Sequence, residues 1–209
     1  MANLTTTVRS FVAIELPGEV KSAISETEHR LGAALGPAAR VVRWVQPESV
    51  HLTLLFLGDV PVRLLKIIEK ELAEASTGVA PFSLRLGGLG VFPNLRRARV
   101  LWVGLENEVN NENSLSTLQS NVVQRLGKIG FPQDKPFRAH LTLGRVRGDS
   151  TQEHLAELGR AVESVDLRPQ AVSFQVHELA LMKSELRPGG SIYTRLAAIG
   201  LGINRADGT

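Results

Sequence analysis

The chain contains no cysteine. That rules out a disulfide framework and any thiolate metal site. Aromatic residues make up only 5% of it, too few for a broad platform on which successive bases would stack, although one or two stacking residues fit within that share. No apolar run reaches the roughly 18 residues that suggest a membrane-spanning helix. The opening MANLTTTVRSFVAIELP lacks the basic stretch and long apolar stretch of a signal peptide. There is no low-complexity segment and no Pro/Ser-rich linker. These absences lead to the expectation of a cytoplasmic globular protein with no membrane segment. The 209 residues are 43% hydrophobic and 22% charged, with a net charge of +3. This suffices for a full core, and the mild basic excess suits a ligand that carries phosphate.

Against this ordinary background, one four-residue box occurs twice. His51-Leu52-Thr53-Leu54 is repeated 89 residues later as His140-Leu141-Thr142-Leu143. Each box lies in an apolar, strand-like run, VHLTLLFLG and AHLTLGRV. Side chains in a strand alternate between faces, so residues i and i+2 point the same way, about 7 Å apart. His51 and Thr53 therefore share one face, with Leu52, Leu54 and Phe56 on the other. His140 and Thr142 share a face, with Leu141 and Leu143 opposite. If the two faces converge, they frame one pocket with two imidazoles and two hydroxyls.

The remaining chain alternates strands and helices. Strands are expected at residues 9–16, 41–45, from 51 to 57, 82–91, 99–105, 137–147, 171–182 and 192–199. Helices are expected at 19–35, from Pro61 to about 75, around Leu115–Leu126, and at 153–165. Gly58-Asp59, residues 92–97 and residues 186–190 read as turns or loops. Each half carries one His strand in an equivalent place, which indicates a duplicated β/α lobe. The expectation is an α+β protein, bilobal, with antiparallel sheets around a central cleft. It would form a single domain over 1–204, with a frayed tail at 205–209.

Val or Ile would pack better than His in either strand. Two matched boxes therefore point to chemistry. Imidazole titrates near neutral pH, so one ring can act as a general base while the other, protonated, acts as a general acid. Threonine hydroxyls and a nearby arginine can hold the oxygens of a phosphate. Displacement in line at phosphorus needs a base behind the nucleophile and an acid behind the leaving oxygen, which two histidines supply without a metal. A metal site is the competing reading, but no H-x-x-x-H, H-x-H or H-x-D spacing is present, and no metal or other cofactor is expected.

On these residues the chain resembles the 2H phosphoesterase superfamily, and most closely its RNA 2′,3′-cyclic phosphodiesterase branch, also called 2′-5′ RNA ligase. The likeness rests on FVAIELP at 11–17, RWVQPESVHLTLLFLG at 43–58, GVFP at 90–93, AHLTLGRVR at 139–147 and LALMKSELRPGGSIYTRL at 179–196. It implies a bilobal fold with a cleft lined by both His-x-Thr strands. It also implies metal-independent opening of a terminal 2′,3′-cyclic phosphate on RNA to a 2′-phosphate, and an ATP-independent reverse joining through a 2′-5′ bond. His51 and His140 carry over as the acid/base pair, and Thr53 and Thr142 as phosphate holders. His140 is favoured as base and His51 as acid, an order the sequence leaves open.

Arg145 carries over as a phosphate contact. Strict alternation puts it on the face away from His140, and a bulge at Gly144 would turn it back. Arg138 points into the pocket by alternation, with a solvated strand-edge charge as the alternative. Phe92 matches the family's position for a nucleobase-stacking aromatic, with a loop anchor in the core as its alternative. Tyr193 is expected on the cleft rim, and Arg96, Arg97 and Arg99 as a solvated basic loop that can steer RNA. Trp44 and Trp102 are expected in the core. His29 and His154 are expected to be exposed on helices, and His177 on a strand face. The expected partner is RNA ending in a 2′,3′-cyclic phosphate, bound by a monomer. Rival readings are a phosphodiesterase of a small cyclic nucleotide and a non-catalytic nucleotide- or RNA-binding module.

Overall fold

A computed structural model describes residues 6–108, 113–164, 172–187 and 190–202. The tail expected at 205–209 lies outside them. The α+β expectation is borne out: two antiparallel sheets carry four α-helices among the described residues.

β1 (Thr7–Glu15) is followed by α1 (Gly18–Leu35) and the short strand β2 (Val42–Trp44). The first His strand is β3 (His51–Pro61), followed by α2 (Leu65–Ser76). β4 (Phe82–Phe92), β5 (Val100–Asn107), α3 (Ser114–Gly127) and the second His strand β6 (His140–Val146) come next. α4 (Gln152–Ser164), β7 (Ser173–Val176), β8 (Glu178–Arg187) and β9 (Gly190–Gly200) complete the order. One sheet runs β3-β1-β8-β9 and the other β2-β6-β5-β4-β7.

The duplication is real in topology. β1, α1 and β3 form one antiparallel unit, and β5, α3 and β6 form another. The two halves of the sequence are nevertheless not the two sheets. β2, from the first half, pairs with β6, while β8 and β9, from the second half, complete the sheet of β1 and β3. Apolar residues from both sheets and all four helices join one continuous core, with Leu52, Leu118, Leu141, Leu143 and Leu158 at 0% exposure.

Four expectations need correction. Gly58-Asp59 is not a turn: β3 continues to Pro61, with Gly58 opposite Ser10 and Asp59 opposite Arg9. Gly58 absorbs the irregularity at a φ of 70°, which glycine adopts without steric cost. Pro61 ends the strand instead of starting the helix, and a 3-10 turn at Val62–Leu64 precedes α2. The expected strand over 171–182 is two strands, β7 against β4 and β8 against β1, parted at His177. Residues 179–182 of β8 read as a continuous apolar run because they are buried on both faces. Leu179 and Leu181 join the main core, and Ala180 and Met182 a second cluster with Phe11 and Ala13. Finally, β8 and β9 extend into the region expected as a loop at 186–190, pairing as far as Arg187 opposite Gly190.

One carboxylate on α1 is out of balance. Burial pushes Glu28 up to about 8 from 4.5, and Glu48 adds to the rise. Its Oε1 is sealed from solvent with no hydrogen-bond partner among the described residues. The folded state thus binds the proton more tightly than the unfolded chain. Its contribution to stability is fully present below pH 4.5 and is lost as pH rises through about 8. Because the group is only half-buried, solvent screening reduces the effect, and Glu28→Gln is expected to stabilise the fold by about 1–2 kcal/mol near pH 9. Denaturant unfolding at acid and alkaline pH checks this. The gain should vanish on the acid side.

Candidate active site

The two His strands are built alike. In β3 the leucines at 52 and 54 enter the core, and His51 and Thr53 are half-buried on the other face. In β6 Leu141 and Leu143 enter the core, and His140 and Thr142 face away from it. Each imidazole is fixed by the carbonyl two residues upstream. His51 Nδ1 lies 2.8 Å from the Ser49 oxygen, and His140 Nδ1 lies 2.7 Å from the Arg138 oxygen. A carbonyl can only accept, so Nδ1 carries the hydrogen on both rings. Nε2 is then the nitrogen left to exchange protons with a ligand.

Simple alternation fails one step further along each strand. β6 has an extra residue between Thr142, opposite Trp102, and Gly144, opposite Leu101. β3 has one between Thr53, opposite Ala13, and Leu55, opposite Val12. These bulges bury two consecutive residues, Leu143-Gly144 and Leu54-Leu55, and shift the phase of the rest of each strand. Arg145 thus returns to the His140 face. Phe56, expected on the face of Leu52 and Leu54, is instead 69% exposed on the His51 face. Gly144 is needed at its bulge, because a Cβ there would come within 2.5 Å of Val42.

The two faces share one cavity of about 610 Å³, lined by His51, Thr53, His140, Thr142, Arg145 and Tyr193 among others. An adjoining space of about 690 Å³ opens past Thr53, Phe56, Phe92 and His140 towards Phe137, Arg138 and Lys135. Aromatic rings frame both histidines. Phe11 stacks on His51 at 4.7 Å, and Tyr193 meets His51 edge-on at 4.9 Å. Phe92 meets His140 edge-on at 4.9 Å and stacks on Trp102 at 5.0 Å.

Burial pushes His51 below the ordinary 6.5, and the Arg145 and His140 charges push the same way; the Ser49 hydrogen bond and the Glu15 carboxylate oppose them. Burial also lowers His140, aided by Arg145 and opposed by its hydrogen bond to Arg138.

The structure thus brings together His51, His140, Thr53, Thr142, Arg145, Phe92 and Tyr193. Arg138 sits at the rim of the adjoining space, its guanidinium 5.9 Å from the Phe92 ring centre. Both readings of Phe92 meet in one residue, since it packs on Trp102 and also lines the cleft. Trp44 packs against the core as expected. Trp102 does not, lying on the cleft side of β5 beneath Phe92. Arg96, Arg97 and Arg99 are exposed, and Arg99 reaches the adjoining space. His29 is exposed, His154 is half-buried in a mutual cap with Thr151, and His177 sits at the break between β7 and β8. Sequence reasoning missed Phe11, Phe56 and Glu15, whose places depend on strand pairing and bulges.

Fold and site together define a phosphoesterase of the two-histidine class. The family model described as LigT like Phosphoesterase matches residues 14–102 and 108–193, and the chain belongs to that family. It is 37% identical over 187 residues to the RNA 2′,3′-cyclic phosphodiesterase of Methanothermobacter thermautotrophicus, covering 90% of this chain and 95% of that protein. Its fold matches TT0787 of Thermus thermophilus with a TM-score of 0.72 and 32% identity, covering 94% and 100% of the two chains. E. coli LigT complexed with 3′-AMP matches with a TM-score of 0.69 and 27% identity, covering 93% and 98%. No helix among the described residues is long and apolar enough to cross a membrane.

Proposed function

We propose that this protein is a cytoplasmic, metal-independent RNA 2′,3′-cyclic phosphodiesterase that leaves a 2′-phosphate. The observation that carries the reading is the pair of histidines on one cavity, each with Nδ1 tethered to a carbonyl and Nε2 left for the ligand. Thr53, Thr142 and Arg145 bind the non-bridging oxygens of the cyclic phosphate. His140 takes a proton from water as the water oxygen attacks phosphorus. The bond from phosphorus to the 3′ oxygen breaks, and His51 gives that oxygen its proton. Arg145 neutralises charge as it builds on the phosphorane oxygens. By reversibility, a 5′-hydroxyl in place of water gives 2′-5′ joining without ATP. The donor set supports a metal-free reading, since no three His, Cys, Asp or Glu side chains cluster among the described residues.

Phe92 and Phe56 offer ring faces to a base, and Arg138 and Lys135 offer charge to the adjoining phosphate. Longer RNA is therefore favoured over a cyclic mononucleotide. The expected kcat/KM on a short oligoribonucleotide with a 2′,3′-cyclic end exceeds that on the mononucleotide by about tenfold or more. The reverse order would move the assignment to a small cyclic nucleotide. Binding without any turnover would move it to a non-catalytic module.

The pH profile has a defined direction. Activity needs one ring neutral and one protonated, and both rings lose their protons below 6.5. The bell of kcat/KM against pH, which reports the free enzyme, is expected to centre on the acid side of 6.5. A bell centred well above neutrality would contradict this.

A further inference from the structure

The two boxes match, but their cross-strand neighbours do not. Opposite His51 stands Glu15, the last residue of β1. Opposite His140, at the equivalent place on β5, stands Gly104, which has no side chain to offer. Glu15 is held in place. Its Oε2 is sealed from solvent and meets Arg195 Nε at 2.5 Å as an ion pair, outside hydrogen-bond geometry. Arg195 Nη1 donates in turn to Glu178 Oε1 at 2.9 Å. A chain of charge from β8 through β9 to β1 therefore braces a carboxylate beside one histidine of the pair.

The other groups around His51 act differently. Arg145 and His140 on β6 disfavour a proton on its ring. Tyr193 on β9 packs edge-on against it, and Arg9 lies at the far end of β1 in the same cavity. Glu48, next to Ser49, acts on Glu28 of α1. Among the described residues, Glu15 is the one carboxylate whose charge favours the His51 imidazolium, and none does so for His140.

We propose that Glu15, braced by Arg195, is a positioning residue that favours a proton on His51 against the opposing charges of Arg145 and His140. It thereby breaks the symmetry of the duplicated site and makes His51 the general acid. The inference rests on the two-histidine reading above. Glu15 is not on the path of either proton. The proton for the leaving 3′ oxygen comes from His51, and that of the attacking water goes to His140.

The test is the pH profile of kcat/KM on RNA with a 2′,3′-cyclic end for the wild type, Glu15→Gln, Glu15→Asp and His51→Ala, with the His51 ring titrated by NMR. In Glu15→Gln the His51 ring, and the limb of the bell that follows it, are expected to move down by about half to one pH unit, with the other limb kept. Glu15→Asp restores most of the limb, because it keeps the charge. A Glu15→Gln variant that loses rate equally at every pH, or keeps the wild-type limb, overturns the proposal and leaves Glu15 a structural partner of Arg195. A His51 ring whose NMR titration stays at its wild-type position overturns it too, because Glu15 would then not act on that ring. Near-normal turnover in His51→Ala is a separate outcome: it removes the two-histidine reading itself, and the proposal with it.

Discussion

His51→Ala and His140→Ala are each expected to lower kcat by at least about 10²- to 10⁴-fold, the usual contribution of a positioned acid or base. The double variant should lose little more than either single, because each ring works only when the other holds the complementary protonation state. The fold should survive all three changes. Both rings are half-buried on the cleft side of their strands, while Leu52, Leu54, Leu141 and Leu143 anchor those strands in the core. A near-UV spectrum and melting temperature close to wild type, beside a collapsed rate, separate chemistry from folding. Near-normal rates in either single variant would sink the mechanism.

Arg145→Gln carries the second large effect, and its signature has two parts. Loss of a charged hydrogen bond to phosphate is worth about 1.5–3 kcal/mol, or about 10- to 100-fold in kcat/KM. The same charge also depresses the proton affinity of both histidines. Removing it should therefore raise both rings together and shift the whole bell towards alkaline pH. Arg145→Lys keeps the charge but not the planar fork, so it should lose rate while leaving the bell near its wild-type position. A Gln variant with unchanged rate and profile would mean that the bulge aims Arg145 at solvent and not at the ligand.

Much of this was legible in the residues, for physical reasons that can be traced. The i, i+2 alternation placed each His with its Thr and each pair of leucines in the core, because a strand with one buried face tolerates no other arrangement. The glycine after Leu143 signalled the bulge that returns Arg145 to the site. The matching bulge in β3 carries no glycine; it falls at Leu54-Leu55, and nothing in an unbroken apolar run marks it. Strict alternation therefore puts Phe56 on the wrong face. Glu15 and Phe11 belong to the site only through the pairing of β1 with β3, a register that becomes visible once the sheet exists. The same applies to the exchange of strands between halves. β2 completes the sheet of β6, and residues 179–182 of β8 are apolar at every position because both faces are covered there, which masks the separation from β7 at His177.

The most direct test of the central claim is hydrolysis of a short RNA ending in a 2′,3′-cyclic phosphate, with EDTA present and the product isomer identified. The account predicts turnover unaffected by EDTA and a product that is entirely the 2′-phosphate, because the proton is delivered to the 3′ oxygen alone. Turnover abolished by EDTA, or a product carrying the 3′-phosphate, would contradict it.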